Sequence, residues 1–218
     1  MVIREYISRI LILVLLLVFS GDHGWPQAWL FFWLLIGMNI VFHIVVVIPD
    51  PELYNERGVI PPNTESWDKN LLIFYALNGY LAYMAMGFDH RFGRTYLGES
   101  FFIPGTILMA MSFMLSAWSM RVNRFFSSVV RIQEDRGQVV CDRGLYSVIR
   151  HPGYFSGFLF YLGSPMMLGS ITGFIFTLVN IIIFVYRIIR EERVLTGGLP
   201  VYEEYKARVR FRLIPGIW

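Results

Sequence analysis

Six apolar runs, each close to the roughly 20 residues a helix needs to cross a bilayer, constrain this chain more than any other feature. They fall at about 7–22, 27–48, 70–87, 101–120, 154–169 and 171–190. Inside hydrocarbon every backbone N–H and C=O must be paired within the protein, which leaves helices or a closed barrel. Continuous apolar runs of this length specify helices. The expected fold is therefore all-α: a polytopic helical membrane protein with about six transmembrane helices, five being the second choice. Composition agrees, since only 16% of the residues are charged against about a quarter in ordinary globular domains. The fifth run is short and bounded by Gly163, Pro165 and Gly169, as for a tilted or partly spanning helix. Its link to the sixth, Leu168 to Gly173, is so brief that the two must form an antiparallel C-terminal hairpin.

Basic residues orient the bundle. Arg4 and Arg9 begin the chain, whereas the loop at 21–26 has neither Lys nor Arg. Arg57 and Lys69 flank the 49–69 loop, and Arg91 and Arg94 lie in the 88–100 loop. Arg121, Arg124, Arg131, Arg136, Arg143 and Arg150 follow the fourth run, and seven more Lys and Arg follow from Arg187 onward. Six spans with both ends cytoplasmic satisfy nearly all of this. No A-x-A-like cleavage site follows the first run, so it reads as a retained span and not a signal peptide. The four spans of residues 1–120 and the connector with the last two spans at 121–218 are read as one integrated domain.

Several function classes drop out. The pI near 9.1 reflects membrane-flanking charge, and no arginine-rich tract with interleaved aromatics suits a nucleic-acid strand. Cys141 stands alone, and His23, His43, His90 and His151 have no zinc spacing, so neither a disulfide nor a metal site is expected. Neither GxGxxG nor GxxxxGK[ST] occurs, which removes support for a soluble nucleotide-binding fold.

Two polar stretches interrupt the apolar pattern. The first, from Asp50 to Asp68, holds Pro51, Gly58, Pro61 and Pro62 and reads as a structured loop with one helical turn. The second, Asn123 to Arg150, is too long for a plain connection and is expected to be functional. Its Val129-Val-Arg-Ile and Gly137-Gln-Val-Val segments, closed by Gly144, predict short extended pieces and turns. Asn123 is expected to cap or brace this connector, and Glu134 and Asp135 to face water.

Ionisable groups at the mouths of membrane helices are functional candidates by default. In Arg150-His-Pro-Gly-Tyr154, Pro152 suits the first helical turn, and the free N–H groups there attract a carboxylate. Arg187 and Glu191 are four apart and share a helical face, which Asn180 and Phe184 continue inward. Taken alone, each motif also reads as an ordinary helix end, with Arg190, Glu192 and Arg193 decorating the interface. The hairpin changes that weight, because it brings His151, Tyr154, Arg187 and Glu191 to one membrane side. Trp67-Asp68 and Asp89-His-Arg-Phe92 fall on opposite sides from each other, and neither pair is assigned to the site.

Taken together, Asn123-Arg-Phe-Phe-Ser127, Val129-Val-Arg131, Gly137-Gln-Val-Val140, Gly144-Leu-Tyr146, Arg150-His-Pro-Gly-Tyr154 and Arg187-x-x-x-Glu191-Glu192 resemble the isoprenylcysteine carboxyl methyltransferase family, relatives of the phospholipid methyltransferases. The resemblance covers about residues 120–212. It implies an integral-membrane enzyme dependent on S-adenosyl-L-methionine, with a cytoplasmic cofactor pocket formed by the connector and the hairpin mouth. Arg131, Gln138, Val139, Val140, Cys141, Tyr146, His151, Pro152, Gly153, Tyr154 and Glu191 would line that pocket. Arg187 and Glu191 would be catalytic, with Arg187 facing the methyl acceptor. The chain departs from the eukaryotic pattern at Gln138, often His there, at Arg131, where a Gln is found, and at Cys141, where an aliphatic residue is usual.

The reaction so implied moves a methyl group to a lipid-like or isoprenylated acceptor reaching the site from membrane lipid. A carboxylate acceptor is already ionised at neutral pH and needs no general base. Arg187 would hold it, Glu191 would orient Arg187 or bind the cofactor ammonium, and His151 with the helix-start N–H groups would take the cofactor carboxylate. A lipid amine or thiol would need a base, with Glu191, His151 or Tyr146 available. The same residues also leave room for a sterol-type membrane reductase or a non-enzymatic membrane protein.

Overall fold

Residues 2–61, 64–93 and 97–218 are described by the structure, a computed structural model. Pro62 and Arg94, which entered the reading of the two polar loops, lie outside the described residues. Among the described residues eight α-helices follow one another: α1 (Val2–Ser20), α2 (Pro26–Phe42), α3 (Pro51–Gly58), α4 (Ser66–Phe92), α5 (Phe102–Val122), α6 (Pro152–Leu168), α7 (Thr172–Gly198) and α8 (Tyr202–Arg208). α2 runs on into one π-helical segment, His43–Val47. Among the described residues the only β pairing is an isolated parallel bridge, Ile149 with Phe211.

The apolar runs become helices whose outer faces can only suit lipid. On α5 the exposed side chains are Ile103, Ile107, Met111, Met114 and Trp118; on α7 they are Ile175, Leu178, Ile182, Tyr186 and Ile189. Steps of three and four place each set on one helical face, and such continuous apolar stripes are excluded from water. The inward faces meet in a core of Leu16, Phe31, Leu35, Met86, Met109 and Met167, drawn from α1, α2, α4, α5 and α6. The all-α polytopic membrane fold is thus borne out. Pro26–Val47, Ser66–Phe92, Glu99–Val122 and Thr172–Gly198 are long and apolar enough to cross a membrane. α1 carries Arg4, Glu5 and Arg9 in its first half, and α6, with 17 residues, is the short fifth run.

Helix association inside a bilayer depends on close packing of small residues, since lipid is as apolar as the helix surface. Gly105 of α5 and Gly163 of α6 supply it. A Cβ on Gly105 would lie 2.5 Å from the Met167 nitrogen and 2.8 Å from the Gly163 carbonyl oxygen. Further along the seam the Ser112 hydroxyl donates to the Ser156 carbonyl at 2.7 Å.

α6 and α7 form the expected antiparallel hairpin, turning at Gly169 with φ 70°. Asp89, near the end of α4, pins that turn: it accepts the Thr172 N–H at 3.0 Å, the Thr172 hydroxyl at 2.8 Å and the Ser170 hydroxyl at 2.5 Å. Asp68 lies 21 residues earlier in the same helix, or about 31 Å along its axis at 1.5 Å per residue. The two acidic residues therefore mark opposite ends of the bundle.

At the Asp68 end, the 49–69 loop is more helical than its sequence suggests. Asp50 accepts the Leu53 N–H at 2.9 Å, Pro51 fills the first helical position, and burial of Leu53 and Tyr54 extends one expected turn to the eight residues of α3. The connector holds short 3-10 turns at Glu134–Arg136 and Gly144–Ser147 between extended pieces. Asn123 braces its start by accepting the Phe125 N–H at 3.0 Å. Buried Gln133 ties its middle, donating through Nε2 to the Phe125 carbonyl and through its backbone to Gln138 Oε1, both at 2.7 Å. Glu134 and Asp135 are exposed, as expected.

Candidate active site

The start of α6 is built into the C-terminal tail. The Arg150 and His151 N–H groups donate to the Phe211 and Arg212 carbonyls at 2.9 and 3.0 Å. Tyr154 and Phe155 N–H groups donate to the His151 carbonyl, and Pro152 has none. Gly153 keeps the one helix-start N–H not already taken, so the expected cradle of several free N–H groups is narrower than the sequence implied.

Side chains then converge from α7. The Arg150 guanidinium donates to Glu192 at 2.6 Å and to the Val209 and Arg210 carbonyls at 2.7 and 2.8 Å. Arg212 donates to the other Glu192 oxygen at 2.8 Å, and His151 Nε2 lies 3.2 Å from the first. Glu192, 5% exposed, is therefore a buried hub joining α6, α7 and the tail, not interface decoration. Its neighbour Glu191 faces differently: it accepts the Tyr154 hydroxyl at 2.7 Å, and its carboxylate is 4.0 Å from His151 Nδ1.

Arg187 is oriented by Asp68 and not by Glu191. Its Nε donates to Asp68 Oδ1 at 2.8 Å, and its Nη2 to Asp68 Oδ2 at 3.3 Å and to the Ser128 carbonyl at 2.5 Å. Asp68 is fully buried and also accepts the Val130 N–H at 2.8 Å. The same carboxylate thus fixes both the arginine and the connector. Trp67 reaches α7 as well, with the Arg190 guanidinium 4.8 Å from its ring centre. Neither Trp67 nor Asp68 lines the cavity described below, but Asp68 bears on it through Arg187, a link the sequence-based reading did not assign. The signal was in the charge pattern, which puts the 49–69 loop on the same side as the connector.

α3 closes against the connector in the same way. Glu56 pairs with Arg131 at 3.2 Å, the Arg57 guanidinium lies 5.5 Å from the Phe126 ring centre, and the Ser128 hydroxyl donates to the Arg57 carbonyl at 2.5 Å. Below these contacts lies one continuous cavity of about 590 Å³, within the usual range for small-molecule sites. Arg131, Gln138, Val139, Val140, Cys141, Tyr146, His151, Gly153, Tyr154, Arg187 and Glu191 all line it. Pro152 does not, being buried at the first position of α6; nor does Asn180, although Phe184 on the same face does.

Tyr202 and Tyr205 of α8 also line the cavity, and Tyr205 donates to the Tyr146 carbonyl at 2.7 Å. Burial raises the phenols of Tyr146, Tyr202 and Tyr205 above their ordinary range. All three stay protonated at neutral pH, which makes Tyr146 a poor general base. Burial likewise raises the Cys141 thiol, whose sulfur lies 3.6 Å from the Val122 carbonyl oxygen.

Comparison with known proteins finds similarity over the C-terminal half of the chain. Residues 100–199 match the model of the phospholipid methyltransferase family. Over 99 residues the chain is 29% identical to a Schizosaccharomyces pombe protein named protein-S-isoprenylcysteine O-methyltransferase, a stretch covering 44% of this chain and 42% of that protein. The chain is thus matched to less than half the length of that relative. The resemblance carried by the connector and hairpin motifs is borne out, and the first four helices lie largely outside it.

Proposed function

We propose that the chain is an integral-membrane methyltransferase that uses S-adenosyl-L-methionine on a lipid-like or isoprenylated acceptor, with its active site on the cytoplasmic side. The observation that carries this reading is the single cavity shared by connector, hairpin mouth and membrane-embedded helices. Glu191, His151, Gly153, Tyr154 and Arg187 line it together with residues of the apolar helices such as Ile12, Tyr83 and Phe113.

The residues present suit the donor molecule. Glu191 offers a carboxylate to an ammonium group, Gly153 and His151 line the same cavity, and Tyr146, Tyr202 and Tyr205 supply aromatic surface. Arg131 Nε is buried with no hydrogen-bond partner, as befits a wall that awaits an acceptor atom. Bound there, S-adenosyl-L-methionine would supply an activated sulfonium methyl group.

The chain's own residues then position and exclude. Asp68 and the Ser128 carbonyl hold Arg187 in one rotamer beside Tyr154, whose ring centre is 5.7 Å from the guanidinium. A carboxylate acceptor held by Arg187 is already ionised, so alignment is the main contribution, a kind of catalysis worth roughly 7–11 kcal/mol in well-oriented systems.

Methyl transfer from labelled S-adenosyl-L-methionine to extracted membrane lipids and to prenylcysteine analogues, with the protein in nanodiscs, tests the reading. Arg187→Ala is expected to abolish turnover while cofactor binding by calorimetry survives; loss of both together would remove this division of roles. An amine acceptor is the second reading, favoured by one observation: the Arg187 charge is already matched by Asp68. A rate flat from about pH 6 to 8 supports the carboxylate, and a rate rising with pH supports the amine.

A further inference from the structure

Residues of the first four helices line the same cavity and include charge that the reaction above does not use. Arg9 of α1, Asn39 of α2 and Arg57 of α3 all line it. Asn39 is 3% exposed and its Nδ2 has no hydrogen-bond partner; Arg9 Nε is likewise buried and unpartnered. Glu5, one turn from Arg9 and its natural partner, is turned to His43 instead, at 3.4 Å. Among the described residues no carboxylate lies within ion-pair distance of either arginine. Burial lowers the basicity of Arg57, opposed chiefly by the charge of Glu5, which also lines the cavity.

Buried donors without acceptors are rare because each one forfeits its hydration, and unpaired cations among membrane helices are rarer still. Two unfilled donors and a second guanidinium with no carboxylate partner, all lining one cavity, call for an anion with more than one oxygen. The surrounding surface of Ile12, Tyr83, Phe113 and Phe160 suits an apolar chain attached to that anion.

We infer that Arg9, Asn39 and Arg57 form a second polar subsite that binds the oxyanion, carboxylate or phosphate, of a membrane amphiphile, separate from the group presented at Arg187. The subsite makes the N-terminal helices the specificity-determining half of the molecule. Only its link to catalysis, that the anchored amphiphile is the methyl acceptor, rests on the methyltransferase reading.

Binding of tritiated oleate, oleyl phosphate and oleyl alcohol to the full chain in detergent, followed by scintillation proximity, tests the subsite directly. Oleate or oleyl phosphate is expected to bind saturably and at least tenfold more tightly than the alcohol, the tighter of the two identifying the oxyanion. Arg9→Gln and Arg57→Gln are expected to lose tenfold or more of that affinity, with S-adenosyl-L-methionine binding unchanged. If either glutamine variant fails to give a monodisperse protein, Arg9→Lys and Asn39→Ala replace it: the lysine should retain most of the affinity and the alanine should weaken it. Equal binding of acid and alcohol, or affinity indifferent to these substitutions, overturns the subsite. Oleate or oleyl phosphate binding without cofactor binding leaves the subsite standing and removes the methyltransferase reading; the reverse result does the opposite.

Discussion

Removing the Asp68 carboxylate should reveal how far the N-terminal helices hold the site together. Asp68 is 0% exposed and the Arg187 side chain 14% exposed, so Asp68→Ala leaves a guanidinium largely out of water with only the Ser128 carbonyl to accept from it. Breaking one side of a buried ion pair costs about 3–5 kcal/mol, whereas a neutral hydrogen bond between membrane helices contributes about 0.6 kcal/mol. The Val130 N–H also loses its acceptor, a further penalty of about 1–3 kcal/mol. A double-mutant cycle with Arg187→Ala separates the pair from the rest, since the double variant removes the stranded charge as well. Equilibrium unfolding, by titrating sodium dodecyl sulfate into dodecyl maltoside micelles, should give a coupling of about 2 kcal/mol or more. In the same preparations Asp68→Ala should lower kcat far more than it raises the cofactor Kd. A coupling near about 0.5 kcal/mol, or singles that simply add, would refute the claim that the pair is a buried ionic link and reduce Asp68 to an ordinary hydrogen-bonding residue.

Other outcomes follow from local geometry. Gly105→Ala places a Cβ against the Met167 nitrogen and Gly163 carbonyl and should cost about 1–3 kcal/mol, read as a lowered Tm relative to wild type. Cys141 should alkylate slowly at neutral pH, because burial raises its thiol; its iodoacetamide rate should reach half-maximum at a higher pH than a free cysteine, and S-adenosyl-L-methionine should protect it. At the opposite end, the hydrogen bond from His90 lowers the Asp22 carboxyl. The stabilisation it gives is present above the ordinary carboxylate range and is lost as pH falls through the lowered value. The Tm difference between wild type and Asp22→Asn should therefore shrink on acidification, and one independent of pH would contradict the link.

The bundle is readable in the sequence because membrane helices announce themselves through unbroken apolar length, and the hairpin because its turn allows no other geometry. The wall proposed to face the cofactor is readable from short motifs, since Tyr154 with Glu191, and His151 beside them, meet across one helical hairpin. Whatever depends on distant partners is not. Arg187 and Asp68 are 119 residues apart, and no local pattern marks the second as the mate of the first. Glu192 is easily taken for decoration because, next to Glu191 but about 100° around the helix, it serves a different neighbour. Tyr202 and Tyr205 sit in a seven-residue helix too short to show a persuasive period.

The residues hidden from a linear reading share a cause, and it has consequences for specificity. The matched region, 100–199, contains the hairpin and connector but none of Arg9, Asn39, Glu56, Arg57 or Asp68. Those residues bear on the site from the first four helices, through ion pairs, a cation–aromatic contact and unfilled donors. On the proposed reading, the groups that hold a donor and align its methyl lie on motifs compact enough to be recognised in sequence. On the same reading, acceptor recognition beyond Arg187 falls to groups that become neighbours only once α1, α3 and α4 pack against the connector. Grafting the connector and hairpin onto other membrane helices should therefore leave donor binding largely intact and change the acceptor. A chimera that kept the original acceptor preference would break that division.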